Sequence, residues 1–135
     1  MAVTDRFKVL IVASTRSVTD RFTKLFGFID TVDLIGAVNT AQDATTTIRD
    51  ARPDVVLVDI NLPDMNGIQF TEIVRREHPE VQIIVLAPDK LGDIVLNAMR
   101  CGAADFLTHE VPLEELRVST FRAGELAIIE KKSEE

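Results

Sequence analysis

The sequence predicts a doubly wound α/β fold, (βα)5, in which five short parallel strands form one sheet with helices on both faces. Three observations lead there. Short β-branched runs at residues 8–12, 33–38, 55–58, 82–86 and 105–107 alternate with stretches of helical periodicity, which is how βαβ units read in sequence. Several of these runs are apolar without a break, as strands are when helices cover the sheet on both sides. The 135 residues, 46% apolar and 27% charged, suit one domain with its own core, and no repeat, low-complexity tract or Gly/Ser linker divides them. Residues 1–135 are therefore read as a single domain with a folded core over about 7–130, and 131–135 as a charged tail or the start of a linker.

The helices follow in order between the strands. The first carries Val18, Phe22, Leu25, Phe26 and Ile29 on one side, with Ser17 and Asp20 reading as a capping box. The second uses Ala41, Ala44, Ile48 and Ala51, opens on a Thr40/Asp43 box, and stops before Pro53, because a residue preceding proline is pushed out of the helical region. The third runs over 67–77, with Ile68, Ile73 and Val74 apolar and Pro79 just beyond it. The fourth covers about 91–100, with Gly102 as its stop. The fifth begins after Pro112 and passes through Leu113, Leu116, Phe121 and Leu126.

Composition excludes several classes of function. A net charge of −7 and a pI near 4.8, with bases scattered rather than striped, repel a phosphate backbone, so no direct nucleic-acid binding is expected. No apolar run approaches the ~20 residues that span a bilayer. The start, with Asp5 and Arg6, lacks the apolar region of a signal peptide, so the expected location is the cytoplasm. Cys101, the single cysteine, can form no internal disulfide and is read as a small apolar residue in a helical pattern. No Ser/His/Asp or Cys/His set stands at the strand ends, and no enzymatic activity is expected.

In open parallel sheets ligands meet the carboxyl ends of the strands. Those ends read Ala13-Ser14-Thr15 after the first strand, Ala87-Pro88-Asp89 after the fourth and Thr108-His109-Glu110 after the fifth. The third run continues as Val58-Asp59-Ile60-Asn61-Leu62-Pro63-Asp64-Met65-Asn66-Gly67: an aspartate just past a buried strand, then apolar-Pro-x-x-x-Gly opening a helix. This stretch, with the later Gly102-Ala103-Ala104-Asp105-Phe106-Leu107, resembles response-regulator receiver (CheY-like) domains over about residues 7–130. The resemblance implies a flavodoxin/CheY-like sheet of strand order 2-1-3-4-5, a phosphoacceptor at Asp59, and a place in a two-component phosphorelay with a sensor histidine kinase as a partner. It also implies a Mg²⁺ ion held by acidic residues after the first strand, a hydroxyl after the fourth and a lysine after the fifth.

Only part of that set is present. Asp59 matches the acceptor, and Asn61 the position whose carbonyl can join the metal shell. The acidic pair falls on Ala13 and Ser14, the hydroxyl on Ala87 and the lysine on His109. One carboxylate makes a poor site for a hard divalent ion, so no resident cofactor is expected beyond weak Mg²⁺ binding at Asp59 and Asn61. Ser14 and Thr15 are read as satisfying turn or helix-start amides, His78 as a surface residue, and His109 as a loop histidine facing water, although a protonated imidazole could partly imitate the lysine. Phe106 keeps the family's switch aromatic, but Ala87 has no hydroxyl to couple to it.

The expected function is thus a degenerate receiver acting as a phosphorylation-independent interaction module. It is expected to dimerise through its fourth helix, fifth strand and fifth helix, where Leu91, Ile94, Val95 and Met99 join Leu113, Leu116, Phe121 and Leu126 as surplus apolar positions. The alternative is a working phosphoacceptor. Residues 102–107 and 112–116 also resemble the receiver-like N-terminal domain of Tad-type pilus assembly ATPases, and no P-loop lies within these residues. A flavodoxin- or cobalamin-type binder is disfavoured, since no phosphate-cradling loop follows Val12 and no Asp-x-His-x-x-Gly occurs.

Overall fold

The computed structural model describes residues 6–133. Its elements are β1 (Phe7–Val12), α1 (Arg16–Phe26), β2 (Val32–Val38), α2 (Ala41–Ala51), β3 (Val55–Asp59), α3 (Gly67–Glu77), β4 (Gln82–Ala87), α4 (Gly92–Arg100), β5 (Asp105–Thr108) and α5 (Leu113–Ser133). All strand pairs are parallel, in the order β2-β1-β3-β4-β5. The order in which strands are added therefore reverses between β1 and β3, which places the crevice at their carboxyl ends.

The period-two geometry of a strand sorts its side chains into two cores. Val9, Ile11, Val55, Leu57, Ile84, Leu86 and Leu107 pack with α1 and α5 residues such as Phe22 and Leu116. Their sequence neighbours Leu10, Val12, Val56, Val58, Ile83, Val85 and Phe106 pack on the other face with α2, α3 and α4, through Ile48, Phe70, Val74 and Ala98. The unbroken apolar runs are thus what a sheet covered on both faces requires.

Local signals explain most ends. Thr40 caps α2, its hydroxyl accepting the Asp43 N–H at 3.0 Å. The helix closes on Arg52 in the left-handed region (φ 50°), a conformation that turns the chain before Pro53. Gly102, at φ 103°, follows α4 and lies against the Arg75 side chain, whose Nη1 donates to the carbonyl oxygens of Pro79 and Val81.

Four expectations need correction. Ser17 lies inside α1; the cap position is Thr15, which contributes its carbonyl rather than its hydroxyl, accepting the Val18 and Thr19 N–H groups. Ile29 lies beyond the end of α1, past the Gly27 turn, but is buried in the same core. Lys131 continues α5 instead of starting a tail: its ammonium reaches Asp54 Oδ1 at 2.5 Å, while Asp54 Oδ2 accepts the Lys8 N–H at 2.8 Å. Residues 134–135, and the start read for a signal peptide over 1–5, lie outside the described residues. His78 is half-buried, closing α3 with its N–H on the Val74 carbonyl.

No helix among the described residues is long and apolar enough to cross a membrane. α4 is thinly anchored: Ala98 is its one buried residue, Ile94 and Val95 are half-buried, and Leu96 and Met99 are exposed, as is its cap residue Leu91.

Candidate functional site

Asp59 ends β3, the third strand of the sheet order, with its side chain almost fully buried at 3% exposure. The Ile60 N–H extends the ladder to Leu86 O (2.9 Å), so the chain leaves the sheet only at Asn61. The loop then folds back on itself: Asn61 bridges Asn66, Gly67 N–H donates to Ile60 O at 2.9 Å, and Asn66 Oδ1 caps α3 by accepting the Ile68 N–H at 2.7 Å. This return is why the motif ends in glycine. A Cβ on Gly67 would lie 2.2 Å from the Asp59 carbonyl oxygen and 2.7 Å from Ile60 Cα. Asp64, at the tip, accepts the Ala41 and Gln42 N–H groups at 2.9 and 3.0 Å, fastening the loop to the start of α2. The Ala41 N–H foremost holds the Asp64 carboxyl below its ordinary value, as a carboxylate at a helix N-terminus should be.

Both oxygens of Asp59 are engaged from within the chain. Oδ1 accepts the Asn61 N–H at 3.0 Å. Oδ2 stands 2.8 Å from His109 Nε2. The contact is close but not a directed hydrogen bond, since Nε2 is shielded from solvent and finds no well-aligned acceptor; it is an ion pair only when the imidazole is protonated. His109 therefore does not face water as its loop position suggests; its side chain is only 20% exposed and turns to Asp59.

The remaining positions gather at the same end of the sheet. Ala13 is buried, and Ser14 is exposed, its hydroxyl donating at 3.3 Å to the Asn61 carbonyl. Neither Ser14 nor Thr15 caps an amide with its side chain. Ala87 ends β4 and accepts the His109 N–H at 3.0 Å. Phe106 is buried at 3% exposure in the same cluster as Ala87. Among the described residues no group of three or more His, Cys, Asp or Glu could hold a metal ion. The Mg²⁺ ion that the resemblance implies does not fit these side chains: Ala13 and Ser14 bring no carboxylate, which leaves Asp59 alone, with His109 Nε2 2.8 Å from its Oδ2. Sequence reasoning missed Arg21, whose guanidinium holds the loop that carries His109. Its partners are carbonyls, which leave no mark in a sequence.

Comparison with known proteins agrees with this geometry. The family model described as response regulator receiver domain matches residues 9–120. The luminescence regulatory protein LuxO of Vibrio campbellii is 36% identical over 89 residues, covering 66% of this chain and 20% of LuxO. The response regulator GacA of Pseudomonas aeruginosa is 28% identical over 109 residues, 81% of this chain and 51% of GacA. The chain thus spans a fifth to a half of these relatives' length. Among solved structures, the signal receiver domain of an HD domain-containing protein from Pseudomonas fluorescens Pf-5 superposes with a TM-score of 0.85 at 22% identity, over 98% of this chain and 96% of that one. A CheY-like receiver domain protein from Methanospirillum hungatei JF-1 gives 0.79 at 20% identity, over 93% and 99%. With the acceptor-type aspartate at the end of β3, the 2-1-3-4-5 sheet and a family match across most of its length, this chain belongs to the response regulator receiver domain family.

Proposed function

We propose that this receiver signals through protein partners without being phosphorylated, and that it works in the cytoplasm without a resident metal. The observation that carries the reading is the state of Asp59, with one oxygen on its own loop's N–H and the other against His109, while Ala13, Ser14 and Ala87 stand where charge and hydroxyl would be needed. Phosphoryl transfer is mainly positioning and neutralisation of charge on the moving group. Here an incoming phosphoryl group meets a single neutralising side chain, and only after that side chain gives up Asp59.

The output side supports the same reading. A ligand shifts an equilibrium only by interacting differently with its two states. Phe106 is buried in the same cluster as Ala87, which has no hydroxyl through which a phosphoryl group could move it. What remains for signalling is surface. Leu91, Leu96 and Met99 on α4 and Val118, Leu126 and Ile129 on α5 are large apolar side chains left exposed. Leu116 is buried and Leu113 packs on the core, so these two add less to a docking face than their spacing suggests, whereas Phe121, although it meets Phe7 edge to face at 5.8 Å, is as exposed as Leu126 and Met99. A second copy of the chain, docking through α4, β5 and α5, is the partner proposed for this surface. The narrower version, in which this domain precedes and helps to place a downstream pilus-assembly ATPase, rests on the sequence likeness at 102–107 and 112–116.

One observation favours the rival reading, a working phosphoacceptor in a kinase-driven relay: His109, when protonated, is a cation 2.8 Å from Asp59. Intact mass after incubation with acetyl phosphate and Mg²⁺ decides between them. The expected result is no adduct. A near-stoichiometric phosphate adduct that disappears in Asp59→Ala overturns the proposal in favour of its rival.

A further inference from the structure

We infer that Arg21, on α1, is a positioning residue for the Asp59 site, acting through His109. The inference rests on the reading of His109 as the group that covers Asp59. Arg21 Nη1 donates to the His109 carbonyl oxygen at 2.8 Å, and Nη2 donates to the Val111 carbonyl oxygen at 2.7 Å. Two donors of one planar fork thus grip two carbonyls of the β5–α5 loop, a geometry that guanidinium supplies and a point charge does not. The fork itself is fixed, since its carbon lies 5.6 Å from the ring centre of Phe22, which is fully buried.

The grip falls on the residue that matters. His109 is held at its N–H by the Ala87 carbonyl at 3.0 Å and at its own carbonyl by Arg21. With both main-chain groups of His109 tied, to β4 on one side and α1 on the other, its Cα is held where the imidazole stands 2.8 Å from Asp59. Val111, two residues on, is buried in the α1/α5 core, so the second bond ties the loop to the part of the molecule least able to move. Arg21 bonds the backbone of the loop rather than the Asp59 carboxylate, and through that loop it sets where His109 sits. α1 thereby becomes a lever on the acceptor: loosening the fork releases the cover.

The chain's two histidines make the test direct. Diethyl pyrocarbonate acylates imidazole nitrogen, and peptide mass spectrometry gives the rate at His109 relative to His78, which closes α3 before the amino end of β4, whereas His109 follows the carboxyl end of β5. In the wild-type chain His109 should react more slowly than His78, because its Nε2 is shielded. Arg21→Gln should raise the His109/His78 ratio about tenfold as the loop opens locally. Arg21→Lys, which keeps the charge but not the fork, should fall between. If Arg21→Gln loses its far-ultraviolet circular dichroism, the lysine variant carries the test. A ratio within about twofold of wild type in the folded Arg21 variants overturns the inference. Asp59→Ala separates the two levels of the argument: if it leaves the ratio unchanged, the covering role of His109 fails. If it raises the ratio while the Arg21 variants do not, Arg21 alone is wrongly assigned.

Discussion

Gly67→Ala is the substitution that most directly probes how the acceptor loop is built. A methyl group there would lie 2.2 Å from the Asp59 carbonyl oxygen, about 1.2 Å inside an ordinary contact of 3.4 Å, and 2.9 Å from the Asp59 carbonyl carbon. Both are buried main-chain atoms of a central strand, so no side-chain rotation relieves the clash and α3 must back away from the sheet. Overpacking of this kind costs about 1–3 kcal/mol, and the retreat stretches the Gly67 N–H to Ile60 O bond of 2.9 Å, worth about 1 kcal/mol. Alanine's better helix propensity returns up to about 1 kcal/mol. The net expectation is a loss of about 2 kcal/mol, or a fall in Tm of roughly 8 °C for a chain of this size. Urea denaturation followed by circular dichroism measures it, with the slope unchanged because the unfolded surface is the same. A variant within about 0.5 kcal/mol of wild type would refute the claim that close backbone approach dictates this glycine.

Three further outcomes follow from contacts elsewhere in the fold. Asp64 is held below its ordinary 3.8 by the amides that open α2, so the stability it contributes is fully present above that value and lost as pH falls through its lower folded value; Asp64→Ala should therefore weaken the protein at neutral pH and match wild type in strong acid, as pH-dependent unfolding would show. Gly124→Ala places a Cβ 2.4 Å from the Phe7 ring in mid-helix, and should destabilise by about 1–2 kcal/mol despite the propensity gain, whereas Gly92→Ala, with open space around it, should not. Asp54→Ala leaves the Lys8 N–H without its partner in a part-buried spot and should cost about 1–3 kcal/mol, while Lys131→Ala, which removes a partly exposed ammonium, should cost at most about 1 kcal/mol; thermal melts that reverse this order would contradict the assignment.

The parts of the fold legible in the sequence were those governed by period and by short-range chemistry. The runs at 55–58 and 83–86 have no polar residue to place on a wet face, which left burial on both sides as the one arrangement. Thr40 with Asp43 marked the start of α2 because the bonded atoms are three residues apart. Ser17 with Asp20 had the same spacing and misled, because Thr15 lies two residues earlier and its carbonyl begins the helix first. At the site, the identity of each residue could be read, and so could the missing carboxylates at Ala13 and Ser14. The direction of His109 could not. A histidine after a short strand, beside exposed Glu110, reads as solvated; its actual aim is set by the Ala87 carbonyl and by Arg21, 88 residues away. The surface was legible least of all: Phe28, Leu96, Val118 and Ile129 are exposed, and no periodicity distinguishes an apolar residue that a sheet covers from one that it does not.

With little more than Ala98 holding it in place, α4 makes the shallowest attachment to the core of the five helices. In amide hydrogen exchange it should lose protection first, while β3 and β4, buried along their full length, exchange only with global unfolding. A partner that grips Leu91, Leu96 and Met99 would meet a segment whose rearrangement costs little, and the energy of docking would go into choosing one orientation of α4 rather than into breaking the core.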